Sequence, residues 1–226
     1  KKAPVAKHFV FTGNPGTGKT TVARLLSKIY CALGVLSKGH LVEVDRSGMV
    51  AGYMGQTALK TKKVIDKAKG GVLFIDEAYA LSNHGPEGDF GQEAIDTLNK
   101  AMEDYRDDLI VIVAGYPDLM EDFIDANPGL KSRFNKTIEF PDYTEEDLFT
   151  IFEHMCREQD YHLSSSGKVR LKEVLEKMVK EKDENFGNAR DVRNYLSRVI
   201  ERQANRLVAA ASVNKEQLLE ITVEDL

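Results

Sequence analysis

Gly13-Asn14-Pro15-Gly16-Thr17-Gly18-Lys19-Thr20 is the stretch that decides the fold. It matches G-x-x-x-x-G-K-[ST] at every fixed position. Ahead of it runs His8-Phe9-Val10-Phe11-Thr12, continuously apolar rather than alternating, as in a strand buried on both faces. Behind it Val22, Leu25, Leu26, Ile29 and Leu33 recur at three- and four-residue steps until Gly34 stops the pattern. Strand, glycine-rich loop and amphipathic helix thus follow in the order a phosphate cradle requires. The glycines let the backbone curl until its N–H groups point at phosphate oxygens, and the helix adds its positive dipole end. Lys19 is expected to reach the β- and γ-phosphates, and the Thr20 hydroxyl to coordinate Mg²⁺. Gly13, Asn14, Pro15, Gly16, Thr17, Gly18 and Thr21 complete the expected binding set.

Working outward, Val72–Ile75 and Leu109–Ala114 are further buried strands, with weaker ones at Leu41–Val44 and Thr137–Phe140. Helical periodicity fills the gaps, which predicts an α/β fold with crossover connections. The third strand in chain order ends in Asp76-Glu77, at the carboxyl edge where open α/β sheets bind ligands. There Asp76 would hold Mg²⁺ through its water shell and Glu77 would orient the attacking water. Taken alone, two adjacent acids read equally well as a helix N-cap followed by a solvated residue. The phosphate loop upstream tips the reading towards the catalytic one.

Phe140-Pro141-Asp142-Tyr143-Thr144 marks a change of character. Pro141 interrupts the last strand, and Thr144-Glu145-Glu146-Asp147 reads as an acidic helix N-terminus. Beyond it only helices are expected, over 145–160, 169–182 and 188–210. The fold class is therefore α/β, a P-loop NTPase parallel sheet flanked by helices, with a small C-terminal α-helical lid. The expected domains are 1–141 and 142–226. The charged run Lys177–Glu184 reads as a solvated helix end.

Composition bounds the rest. The chain has 226 residues, 42% hydrophobic and 30% charged, enough to bury a sizeable core. A net charge of −5 argues against wholesale nucleic-acid binding. No apolar run approaches the roughly 20 residues that span a bilayer, and no secretory h-region is read. Cys31 and Cys156 lie far apart, with neither a disulfide framework nor metal-ligand spacing. A cytoplasmic location is the expectation. His154 and Cys156 do not share a helix face, so no metal site is expected there. His8, His40, His84 and His162 are expected on the surface or in loops.

Several segments besides the phosphate loop resemble the AAA+ superfamily and, within it, the CbbX-like group of red-type Rubisco activases and stage V sporulation K proteins. They are Gly52-Tyr53-Met54-Gly55-Gln56-Thr57, Gly70 to Tyr79, Ala114-Gly115-Tyr116, Asn127 to Phe134, Phe140 to Tyr143 and Gly187 to Arg193. The resemblance implies ATP and Mg²⁺ as cofactors, ATP hydrolysis, and ATP-dependent assembly into a ring of six. It also implies a protein client threaded through the central pore. Arg133 matches the arginine finger that reaches the γ-phosphate bound by the neighbouring subunit; by itself it reads as a helix-end cation packed near Phe134. Arg190 matches the sensor-2 arginine, against a plain surface arginine. Arg198, Arg202 and Arg206 read as a solvated or intersubunit stripe. Tyr53-Met54-Gly55 matches the pore loop, against a buried loop tyrosine, and Leu81–Gln92 a second pore-facing loop. Tyr116 stands where many relatives carry a polar sensor-1 residue, often Asn. The chain opens just ahead of its first strand, so the segment that helps enclose the adenine in relatives is expected to lie outside it.

A motor or loader acting on nucleic acid, and a nucleotide-binding regulator with little turnover, are the alternative functions. The acidic balance and aromatic pore loop weigh against the first. Glu77 and Arg133 weigh against the second.

Overall fold

The computed structural model describes residues 7–53, 55–82, 90–184, 186–210 and 212–226. They form two compact units: the chain to Gly13 with Gly18–Phe140, and Asn14–Thr17 with Pro141–Leu226.

The first unit carries β1 (His8–Thr12), α1 (Lys19–Ala32), β2 (Leu41–Val44), α2 (Arg46–Met49), α3 (Gln56–Ala68) and β3 (Val72–Ile75). A 3-10 helix (Ala78–Ser82), α4 (Phe90–Asp104), β4 (Ile110–Gly115), α5 (Pro117–Asp125), α6 (Pro128–Arg133) and β5 (Thr137–Glu139) follow. All five strands are parallel, in the order β2-β3-β4-β1-β5. Alternation along each strand divides two cores. Phe9, Phe11, Val72, Phe74, Ile110 and Ile112 pack with Ala23, Val22 and Leu26 of α1 on one face. Val10, Leu73, Ile75, Val111 and Val113 pack on the other against residues of α3, α4 and α5. Burial on both faces is why these strands read as unbroken apolar runs. Fully buried Phe11 and Phe74 each contribute about 1.5–3 kcal/mol.

A parallel sheet places every strand's carboxyl end on one edge. Thr12 is paired with Gly115, and Ile75 with both Val44 and Val113. The residues that follow β1, β2, β3 and β4 therefore emerge together, and the phosphate loop is among them.

The second unit carries α7 (Glu145–Glu158), β6 (His162–Leu163), α8 (Ser165–Lys180), α9 (Ala189–Val208), α10 (Lys215–Leu219) and β7 (Glu220–Ile221). Thr144 opens α7 with a capping box: its hydroxyl accepts from the Asp147 N–H at 3.2 Å, and the Asp147 carboxylate accepts from the Thr144 N–H at 3.0 Å. Such a cap is worth about 1 kcal/mol. Leu148, Phe152, Leu171, Leu175, Val192 and Leu196 form the core of this unit. Cys156 belongs to it, and burial pushes its thiol up to about 12.

The structure departs from the sequence expectations at five places. A two-stranded parallel sheet, β6 with β7, interrupts the helices of the second unit. Leu25 and Ile29 of α1 and Leu33 just past its end are exposed, so only part of the apolar stripe faces the core. His8 is buried, its Nδ1 accepting from the Val111 N–H at 3.0 Å. Arg206 is half-buried rather than fully solvated, and both it and exposed Arg202 bind the C-terminal segment. Arg202 donates to the Asp225 and Leu226 carbonyls, and Arg206 forms a two-point pair with buried Asp225 at 2.8 and 2.9 Å, tying down the last residues. Within the charged run, Lys182 pairs with Asp142 at 2.8 Å. His84 lies outside the described residues.

Candidate active site

The phosphate loop starts where β1 ends, with the Gly13 N–H donating to the Gly115 carbonyl at 3.2 Å. Gly13 has φ +144°, and a Cβ there would lie 2.2 Å from the Phe140 carbonyl oxygen. Gly16 has φ +72°, and a Cβ there would lie 2.0 Å from the Gly187 carbonyl oxygen. No side chain fits at either position, which explains the loop's composition in steric terms. Lys19 donates to the carbonyl of Gly13, the first residue of the loop, at 2.7 Å. Thr20, the second residue of α1, donates its hydroxyl to Glu43 at 3.4 Å, while Thr21 is exposed. The buried Thr17 hydroxyl turns back onto the Asn14 carbonyl at 2.8 Å, so it braces the loop.

Asp76 and Glu77 emerge from β3. The Asp76 N–H donates to the Val44 carbonyl at 2.8 Å, and the Asp76 carboxylate accepts from the Glu77 N–H at 3.1 Å. Glu77 is exposed and held at φ +49°, a left-handed conformation costing about 1 kcal/mol or more for a non-glycine residue. Beside it a cleft of about 370 Å³ is lined by Asp45, Arg46, Ser47, Val50, Glu77 and Ala80. β3 lies two strand spacings from β1, which sets the carboxyl ends of these two strands about 10 Å apart across the sheet edge. Thr20 and Glu43 meet at this edge and Asp76 follows the strand paired with β2; all three offer oxygen, the donor a hard cation such as Mg²⁺ takes.

Arg133 lies elsewhere. It ends α6, donates to the Gly129 carbonyl at 3.0 Å and pairs with Glu103 at 3.7 Å. Its charge acts on His8, the first residue of β1. Tyr53 is 73% exposed, so it is not a buried loop tyrosine. Gly55 caps α3 with φ +76°. Met54, and residues 83–89 of the second expected pore loop, lie outside the described residues. Arg190 is exposed on the first turn of α9 in the second unit.

Four residues given no role from the sequence belong to these surroundings. Glu43 is the polar interruption of β2. Arg46 donates to the Ala80 carbonyl at 2.6 Å, tying α2 to the segment after Glu77. Tyr79 stands 6.5 Å from the Tyr116 ring, and its hydroxyl is pushed up by burial, then by the charges of Glu77, Tyr116 and Asp76. Asn188, in the second unit, is completely buried. Tyr79 and Asn188 had only the signal of lying within segments that resemble the family, Gly70 to Tyr79 and Gly187 to Arg193.

Comparison with known proteins places this architecture. The family model described as "ATPase family associated with various cellular activities (AAA)" matches residues 9–142, and an AAA lid domain model matches 144–226. The chain is 50% identical over 205 residues to Protein CbbX of Cereibacter sphaeroides, covering 91% of this chain and 66% of that one. It is 47% identical over 222 residues to Stage V sporulation protein K of Bacillus subtilis (98% and 69%). It is 48% identical over 222 residues to the chloroplastic ribulose bisphosphate carboxylase/oxygenase activase of Cyanidioschyzon merolae (97% and 75%). The chain thus spans about two thirds to three quarters of the length of these relatives. The crystal structure of the FIGL-1 AAA domain in complex with ADP shares the fold at a TM-score of 0.67, with 16% identity, covering 97% of this chain and 69% of that one. Among the described residues no helix is long and apolar enough to cross a membrane. The chain belongs to the AAA family of ATPases, within the group that holds CbbX, the red-type Rubisco activases and the stage V sporulation K proteins.

Proposed function

We propose that this ATPase works as a ring in which each active site is shared by two subunits, and that it remodels a protein client drawn through the central pore. The observation that carries this reading is the place of Arg133. It stands by the first residue of β1, whereas the phosphate loop follows the last residue of that strand. A five-residue strand spans about 13 Å, and the Arg133 guanidinium is already engaged with Gly129 and Glu103. An arginine so placed suits a neighbour's γ-phosphate better than its own.

In this reading the N–H groups of Gly13–Thr20 and the Lys19 ammonium bind the ATP phosphates. Thr20 and Asp76 would hold Mg²⁺, which would supply positive charge to offset that of the phosphates. Glu77 orients a water from the adjacent cleft for in-line attack. Arg133 of the adjoining subunit offsets the charge that develops on the transferred phosphoryl group. Exposed Tyr53, on a loop with glycine on either side, grips an extended chain without reading its sequence.

The test is ATPase rate against protein concentration, with molecular mass followed by light scattering with and without ATP. Specific activity that climbs steeply as ATP-dependent mass grows supports shared sites. A constant specific activity from a monomer refutes them.

A further inference from the structure

Within the second unit, residues 14–17 of the phosphate loop are held by their carbonyl oxygens. The Pro15 carbonyl accepts from the Asn188 amide at 3.3 Å, and the Gly16 carbonyl from the Ala189 N–H at 3.2 Å. The Thr17 carbonyl accepts from the Tyr143 hydroxyl at 3.1 Å. Each trans peptide is planar, with its N–H directed opposite to its C=O. Fixing these three carbonyls therefore aims the N–H groups of Gly16, Thr17 and Gly18 the other way, together. That is the geometry an anion cradle needs, and it is set by protein groups before any phosphate arrives.

Asn188 is the centre of the arrangement. It is completely buried and adopts φ 50°, ψ −123°, a conformation that costs free energy for any residue with a Cβ. Its Oδ1 accepts from the Tyr143 N–H at 2.9 Å. Its Nδ2 donates to Asp142 at 2.9 Å as well as to Pro15, with the Phe186 carbonyl at 3.4 Å. Asp142 also accepts from Asn14 at 2.9 Å and from Lys182 at 2.8 Å. Burial works against its charge, but the hydrogen bonds from Lys182, Asn188 and Asn14 outweigh it and keep the carboxyl below its ordinary range. Glycine would relieve the backbone strain at 188, yet a buried asparagine stands there with every polar atom engaged. The side chain's bonds, rather than the backbone turn, account for the residue.

We propose that Asn188, supported by Tyr143, is a positioning residue for the phosphates of ATP, presetting the phosphate loop so that binding requires little reordering. The inference rests on the phosphate-loop reading of Gly13–Thr20. Because the preset loop serves bound ATP and the transition state alike, its loss raises KM and leaves kcat nearly unchanged.

The experiment uses Asn188→Gly, which keeps the backbone conformation and deletes the amide, and Tyr143→Phe, which deletes one hydroxyl. Melting of the nucleotide-free protein checks that each is folded, and affinity is read with a fluorescent ADP analogue alongside steady-state ATPase. Expected are a KM and ADP dissociation constant raised about tenfold in Asn188→Gly and about threefold in Tyr143→Phe, with kcat within about twofold. Folded variants with unchanged KM and ADP affinity overturn the proposal, as does a fall in kcat at constant KM. If Asn188→Gly does not fold, Tyr143→Phe decides by the same criteria. Lys19→Ala separates the two levels: unimpaired ADP binding by that variant refutes the phosphate-loop reading itself. Lost binding by Lys19→Ala beside unaffected Asn188→Gly and Tyr143→Phe refutes only the role of Asn188.

Discussion

Arg133 lies within electrostatic reach of His8, and the two mark the edge of the sheet opposite the phosphate loop. The positive charges of Lys7 and Arg133 add to burial in driving the His8 imidazole down to about 4, with burial the largest cause. The Phe134 ring stands 5.9 Å from the same imidazole. β5 then pairs Thr137 with Val10, so the chain passes Arg133 before it climbs towards the loop's edge.

A mixing experiment follows from that placement. Arg133→Ala is expected to bind ATP normally and to lose about 10³-fold or more in turnover, the scale of a removed arginine finger. Lys19→Ala is expected to lose binding. Mixed together, the two inactive variants should regain turnover, because an intact loop on one subunit meets an intact Arg133 on the next. Activity that stays at the sum of the separate backgrounds places Arg133 outside the reaction.

β1, β3 and β4 were legible because burial on both faces writes itself as an apolar run, whereas β2 and β5, partly exposed and interrupted by Glu43 and Glu139, gave only the weaker runs. The α7 start was legible in its capping residues. β6 and β7 have two residues each, too short for any periodicity, and exist because the Ser164 N–H meets the Ile221 carbonyl beyond a long helical stretch. The arginines at 198, 202 and 206 looked like a solvated stripe because spacing reveals a helix face but not what covers it. What Arg202 and Arg206 bind is the C-terminal segment, some twenty residues further along the sequence. At the site, glycine spacing and paired acids could be read directly. Asn188 could not, since its meaning lies in contacts with residues 15, 142 and 143 that no local pattern encodes.

Glu77→Gln should bind ATP with wild-type affinity and turn over at least about 10²-fold more slowly, since the amide cannot polarise water as the carboxylate does. Stalled before hydrolysis, it should persist as a high-mass assembly in ATP. Size-exclusion chromatography with ATP in the running buffer checks this. Wild-type turnover would remove Glu77 from the mechanism.

His8 gives the first unit a pH dependence of definite sign. The unfolded histidine takes up a proton near 6.5, while the folded one resists until about 4. Between those values the unfolded state binds more protons, so stability falls as pH is lowered from 6.5 to 4 and this contribution levels off below. The gap corresponds to at most about 3 kcal/mol. The structural reason is that Nδ1 must stay unprotonated to accept from the Val111 N–H. His8→Gln should flatten the difference, measured as denaturant unfolding free energy at a series of pH values. A parallel slope in both proteins would show that His8 titrates normally.

Tyr53 is where the client hypothesis can be tested without knowing the client. The loop is anchored at its base: the Ala51 N–H donates to the Thr57 hydroxyl at 3.0 Å, and Lys60 donates to the Ser47 and Val50 carbonyls at 2.6 and 2.9 Å. Beyond those anchors the exposed ring contributes nothing to either core, so Tyr53→Ala should change the melting temperature little and keep basal ATPase within about twofold. In the Glu77→Gln background, which should hold a bound chain in place, fluorescein-labelled casein serves as an unfolded polypeptide. Its ATP-dependent capture, read by anisotropy, should weaken about tenfold or more when the ring is lost. Restoring an aromatic by Tyr53→Phe should recover most of it, because the grip relies on a flat apolar surface rather than on the hydroxyl. Equal capture by Tyr53→Ala would remove the loop from client binding while leaving the shared ATPase site intact.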